Sequence, residues 1–167
     1  HGYNIAIGDS ALKIQNAGAD AYNVAIGYAT GFATSTGKHN TFVGTAAGAF
    51  HQRSDGNTFL GYEAGKSVDG TFLTTGANNT AVGKHAGLLL QGDANINTLV
   101  GALAGDAITT GVANTIIGYN AGSAISTSSG IVAVGKDALE INTSGQNVAV
   151  GSNATIPEEV DIAEPAL

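Results

Sequence analysis

The chain has 167 residues, a formal net charge of -7 and only 11% charged residues, less than half of what globular domains usually carry. Six Lys and Arg are spread singly, so no basic stripe exists to neutralise phosphates and nucleic-acid binding is not expected. The absence of Cys excludes disulfides and thiolate metal sites, and the two prolines exclude a collagen-like or Pro-rich chain.

Glycine accounts for 25 residues and falls into a pattern. A five-residue element recurs along the chain, as Asn4-Ile5-Ala6-Ile7-Gly8, Asn23-Val24-Ala25-Ile26-Gly27 and, near the end, Asn147-Val148-Ala149-Val150-Gly151. Its closing glycines are Gly8, Gly27, Gly44, Gly61, Gly83, Gly101, Gly118, Gly135 and Gly151, spaced by 19, 17, 17, 22, 18, 17, 17 and 16 residues. A sustained period near seventeen predicts stacked coils, because each unit is too small to bury a face alone.

The columns of the element carry the detail. Its fourth position is aliphatic in every unit, from Ile7 to Val150, and its second is β-branched in every unit, from Ile5 to Val148. These two share one face of a strand, and that face is expected to point into the coil. The third position then points the other way. It reads Ala6, Ala25, Phe42, Phe59, Ala81, Leu99, Ile116, Ala133 and Ala149. An outward apolar stripe of this length predicts an interface with further copies of the chain. The first position is Asn in eight of nine units, Ile131 being the exception, and an Asn ladder at a coil corner is expected.

After each closing glycine comes a small residue three places on (Ala11, Thr30, Ala47, Ala64, Ala86, Ala104, Ala121, Ala138, Ala154), followed by glycine in six units and by Leu12 or Leu139 in two. This side is expected to be extended, with a single helical turn in units such as 136–141. Polar turns such as Ser35-Thr36-Gly37 and Thr109-Thr110-Gly111 close the coils. The unit between Gly61 and Gly83 is longest and holds an insertion at 67–73, the kind of loop that often forms a working surface. His51-Gln52-Arg53-Ser54-Asp55 is the most ionisable closing turn. The repeat domain is expected over 1–155, with an acidic, Pro-containing tail, cap or connector over 156–167. With no Met and an opening inside a repeat, the chain is expected to be a processed product or a segment of something longer.

The elements Asn23-Val24-Ala25-Ile26-Gly27 and Asn147-Val148-Ala149-Val150-Gly151 resemble the head repeat of YadA-type trimeric autotransporter adhesins. Asn114-Thr115-Ile116-Ile117-Gly118-Tyr119-Asn120-Ala121-Gly122 is similar to repeats of bacteriophage tail fibres and tailspikes. The resemblance covers about residues 3–155. It implies a left-handed parallel β-roll or β-helix that trimerises, with the Ala column at the trimer axis. Phe42, Phe59, Leu99 and Ile116 depart from that pattern and would widen or splay a tight axis.

The expected fold is therefore an all-β solenoid of about nine coils of ~17 residues, rising roughly 4.8 Å per coil to about 40 Å. The expected assembly is a parallel homotrimer through the third-position column. The expected role is structural and adhesive, as a segment of a tail fibre or tailspike at a virion surface that helps bind a host-surface carbohydrate or protein. The head of a bacterial adhesin, or a subunit of an extracellular filament, is the alternative. Tyr28, Tyr62, Tyr119, Asp69 and Phe72 are the expected receptor contacts. No cofactor, metal, catalysis or membrane insertion is expected. His1, His39, His51 and His85 form no paired metal-ligand spacing, and no nucleophile elbow or recurring calcium-turn acid is present. Ice binding is disfavoured, because the Thr column at position two would lie inside the coil.

Overall fold

A computed structural model describes residues 2–18, 20–68, 74–141 and 146–156. Nine three-residue strands follow the closing-glycine period: β1 (Ile5–Ile7), β2 (Val24–Ile26), β3 (Thr41–Val43), β4 (Thr58–Leu60), β5 (Thr80–Val82), β6 (Thr98–Val100), β7 (Thr115–Ile117), β8 (Val132–Val134) and β9 (Val148–Val150). They form one parallel sheet in sequence order, each strand in register with the next. Parallel neighbours need a crossover between them, and here each crossover is the rest of one coil. The result is a β-solenoid of about eight turns, roughly 17 residues per turn. Among the described residues there is no helix, and so none long and apolar enough to cross a membrane.

The faces of the strands are reversed from the sequence expectation. Positions one and three point inward, and positions two and four point out. Ala25, Phe42, Phe59, Ala81, Leu99, Ile116 and Ala133 are fully buried within the single chain, and Ala149 is nearly so. These side chains have no surface to offer a second copy, so the third-position column is the core and not an interface. Ala6 shares the register, but β1 has a neighbour on one side only and Ala6 is exposed. Conversely Leu60 is 47% exposed and Val150 70%.

The reason is volume. Across the coil from position three lies the Ala-Gly pair that follows the closing glycine. A Cβ on Gly48 would meet the Phe42 ring at 2.8 Å, and one on Gly122 would meet Ile116 at 2.7 Å. The coil is too thin for two large residues at this level. Where position three shrinks to Ala133, the opposing residue grows to the buried Leu139. Phe42 and Phe59 then stack on one another down the axis, 5.2 Å between centroids.

The Asn column is buried rather than at an exposed corner. From Asn4 to Asn114 each Asn Oδ1 accepts the backbone N–H of the residue at the same position in the next coil: Asn40 N to Asn23 Oδ1 at 2.9 Å, Asn57 N to Asn40 Oδ1 at 2.9 Å, and Ile131 N to Asn114 Oδ1 at 2.9 Å. From Asn23 to Asn114 the Nδ2 donates to its own coil's closing turn, as from Asn40 to Ser54 O at 2.8 Å and from Asn57 to Gly76 O at 3.0 Å. The ladder thus satisfies polar backbone where the strand gives way to the turn, which a buried chain requires.

The side after the glycine is neither extended nor helical. It is a run of overlapping turns: Ala47 N to Gly44 O at 3.2 Å, Ala49 N to Ala46 O at 3.3 Å, and His51 N to Gly48 O at 3.2 Å. Every second residue is left-handed, as at Ala46 and Gly48. The N–H groups between these bonds reach the next coil instead, for example Gly48 N to Ala64 O at 3.0 Å and Phe50 N to Lys66 O at 3.1 Å. Residues 136–139 belong to such a run, so the helical turn expected there is a turn. The closing glycine is demanded by proximity: a Cβ on Gly61, at φ +137°, would sit 2.5 Å from the Gly83 carbonyl oxygen.

Candidate functional site

Most of the surface is repetitive, and the ionisable irregularity lies around the longest unit. Glu63 is the second residue past Gly61, held at a left-handed φ of 53° with its N–H on Thr45 O at 2.9 Å. Its Oε1 accepts from Lys66 Nζ at 2.8 Å, three residues along. His85 holds the equivalent place one coil on, and its Nε2 lies 3.2 Å from Glu63 Oε2. That nitrogen is buried and forms no aligned hydrogen bond, so the pair is a matter of proximity and becomes ionic only when His85 is protonated. The Tyr62 ring leans on the His85 ring at 5.4 Å and 44°.

The electrostatics follow from these neighbours. The Lys66 hydrogen bond, against a smaller opposing effect of burial, holds the Glu63 carboxyl below the usual range. Further along, burial pushes the Asp106 carboxyl up, and its Oδ1 is buried without a hydrogen-bond partner.

Beside this cluster is a notch of about 390 Å³. It arises in the column six residues past the closing glycine, where Ser67 falls between Phe50 and Leu89 on the adjacent coils. A small residue between two large ones leaves a gap. Phe50, Leu88 and Leu89 form apolar walls, and Glu63 and Lys66 stand at the polar side. Ser67 is 4% exposed, and its hydroxyl has no partner among the described residues. The notch can hold a small molecule with one apolar face and several hydroxyl or amide groups.

Of the residues singled out from the sequence, Tyr62 lies in this cluster, and Ser67 and Val68, which open the 67–73 insertion, line the notch. Tyr28, Tyr62 and Tyr119 are exposed, each directly after a closing glycine, in one column. They are separated by two and three coils, so about 10 and 14 Å of rise keeps them from meeting. Asp69 and Phe72 lie outside the described residues. Phe50, Lys66, His85, Leu88 and Leu89 escaped sequence reasoning as members of a site. The signal that would have found them is the Phe-Ser-Leu interruption of one column at the coil that also carries the insertion. A second missed feature is a ladder of exposed rings, Tyr3 on Tyr22 at 5.1 Å and Tyr22 on His39 at 5.6 Å, nearly parallel.

Among the described residues no three His, Asp or Glu side chains gather closely enough to hold a metal ion. Comparison with protein-family models, with curated proteins and with solved structures finds no match.

Proposed function

We propose that the chain is a structural and adhesive fibre segment, of the tail-fibre or tailspike kind at a virion surface, assembled as a parallel homotrimer. A bacterial trimeric adhesin head or a filament subunit shares the same physical logic and stands as the alternative. No catalytic step is part of the reading. The observation that supports it is the outward strip of positions two and four. It runs over all nine strands, roughly 38 Å, contains only aliphatic residues and Thr, and has no charge. Charge-free strips of this length normally mark an interface. The argument for partners thus passes from the buried third column to Ile5, Ile26, Val43, Leu60, Val82 and their neighbours. Light scattering tests it: a trimer is expected, and Val82→Lys, with its side chain on the strip, is expected to give a folded chain of lower mass. A monomer for the unsubstituted protein refutes it.

One observation favours a second reading. Thr41, Thr58, Thr80, Thr98 and Thr115 point outward in five consecutive coils, and this removes the ground on which ice binding was disfavoured. A rigid Thr row at the ~4.8 Å strand spacing, flanked by aliphatic residues, suits an ordered water lattice. Thermal hysteresis in freezing solutions that is lost in Thr80→Lys, together with a monomeric mass, would replace the trimer reading with this one.

A further inference from the structure

The ladder of exposed rings on the first coils belongs neither to the core nor to the outward strip. Tyr3, Tyr22 and His39 each stand directly before the ladder Asn of their coil, on left-handed backbone at φ 64°, 53° and 57°. The backbone on either side of the first two is tied coil to coil, by Ala21 N–H to Gly2 O at 3.4 Å and by Asn23 N–H to Asn4 Oδ1 at 2.8 Å. Two phenol rings are thereby held face to face, 5.1 Å between centroids and 2° from parallel. His39 covers the other face of Tyr22 at 5.6 Å, so among the described residues Tyr3 is the one phenol stacked on it.

The pair is accessible as well as paired. Tyr3 is 71% exposed and Tyr22 49%, so a one-electron oxidant can reach either hydroxyl. Each phenol then gives up one electron and one proton and becomes a phenoxyl radical, with unpaired spin on the ring carbons ortho to the oxygen. Two such radicals join by a carbon–carbon bond between ortho carbons, and the hydrogen on each of those carbons moves to oxygen and restores the hydroxyl. The product is a biphenol lacking two hydrogen atoms. Hydrogen peroxide, acting through a peroxidase, takes up the two electrons and two protons as two waters. Holding the rings side by side turns this coupling into an intramolecular step. Rotation of exposed side chains, on the picosecond-to-nanosecond scale, brings the ortho carbons together. Tyr28, Tyr62 and Tyr119 lie two and three coils apart and have no such neighbour.

The position gives the bond a structural use. β1 has a neighbour on one side only, and terminal elements of this kind open first. With no Cys, the chain has no disulfide with which to hold the first coil down. We propose that Tyr3 and Tyr22 form an oxidative cross-linking site, at which a one-electron oxidant of the peroxidase class joins the two rings and staples the first coil to the second. The staple would form whatever the rod binds.

The test treats the folded protein with a haem peroxidase and hydrogen peroxide at two protein concentrations. Biphenol fluorescence is expected to give the same yield per chain at both, with the chain lighter by two hydrogen atoms and still of single-chain size on a denaturing gel. Trypsin cuts the unfolded product after Lys13 and Lys38, which places Tyr3 and Tyr22 in neighbouring peptides. Those peptides are expected to emerge joined through their rings. Tyr22→Phe keeps the stacked ring, removes the phenol and is expected to abolish the joined pair. Tyr28→Phe, in the same peptide, is expected to leave the pair intact. The stapled chain is expected to melt at a higher temperature than Tyr22→Phe treated in the same way. Peptides that stay separate under conditions that couple free tyrosine, a biphenol formed mainly between chains, a joined pair that persists in Tyr22→Phe, or a linked chain that melts no higher would each overturn the proposal.

Discussion

His51 makes the fold acid-sensitive by an amount that can be worked out. Its ring is buried against Phe59 at 4.8 Å and Phe42 at 6.4 Å. Ser54 Oγ donates to Thr74 O, so Nδ1 must carry the proton and donate to Ser54 Oγ at 3.1 Å. That leaves Nε2 as a bare lone pair without a partner. Protonating it would put a charge in the apolar core, and burial lowers the pKa from 6.5 to about 4, with the Gly65 backbone supplying only partial compensation. The unfolded chain therefore binds a proton that the folded chain refuses as pH falls from 6.5 to 4. Stability from this group is complete above pH 6.5, declines through that window, and is lower by about 3 kcal/mol at its foot. Ordinary domains have about 5–15 kcal/mol in total. The assay is a urea midpoint at about pH 7 and at about pH 4.5, for the native sequence and for His51→Leu, since Leu90, Ile108 and Ile125 fill the same column in later coils. Asp106 acts with the opposite sign: burial raises its pKa, so its contribution is largest in acid and declines as pH rises through the raised value. It is present in both proteins and cancels in the comparison. The native midpoint should fall with acid and the variant's should fall much less. Equal falls, or no fall in either, would refute the reasoning.

Two other substitutions probe the stacking. Asn57→Ala strips the acceptor from Asn79 N, 2.9 Å away, and the donor from Gly76 O, 3.0 Å away. Two stranded backbone groups should cost about 2–5 kcal/mol in a denaturant titration. Gly61→Ala drives a Cβ to 2.5 Å from the Gly83 carbonyl oxygen, whereas Gly18→Ala, at φ +67°, meets nothing within 4 Å. Circular dichroism on heating should show Gly61→Ala losing more than about 4 kcal/mol, and Gly18→Ala about 1–2 kcal/mol.

The period, the strand positions and the turn glycines were legible in the sequence because they are local and repeat nine times. The direction of the faces was not read correctly. Position two is β-branched and position four aliphatic without exception, a regularity that points to burial but here lies on the outer face. Position three varies from Ala to Phe, and by alternation was placed on the outward face as an interface stripe. Inside a thin coil it is the mark of compensation: Phe42 opposes Gly48, Phe59 opposes Gly65, and Ala133 opposes Leu139. The pairing spans six residues, and where both partners are small, as at Ala25 with Gly31 and Ala81 with Gly87, neighbouring side chains (Leu12 and Phe42, Leu90 and Leu99) come up to the glycine instead. The Asn column was a second clue. By alternation it shares the face of position three, and an amide that hydrogen-bonds in two directions belongs where water is absent. The notch was harder to see, because its walls come from three coils and its existence depends on which residue is missing bulk.

The Gly-to-Gly contact also sets a length standard. Each closing glycine sits against the next coil's glycine backbone, so the rise is fixed at this line whatever the coil does elsewhere. Units of 16 and of 22 residues both start and finish on it. The pitch at this line is therefore the same for short and long units. Duplicating or deleting one whole unit would change the rod by one strand spacing, about 4.8 Å, and leave every other contact in phase. The reach of such a rod can thus change in counted steps without redesigning the core.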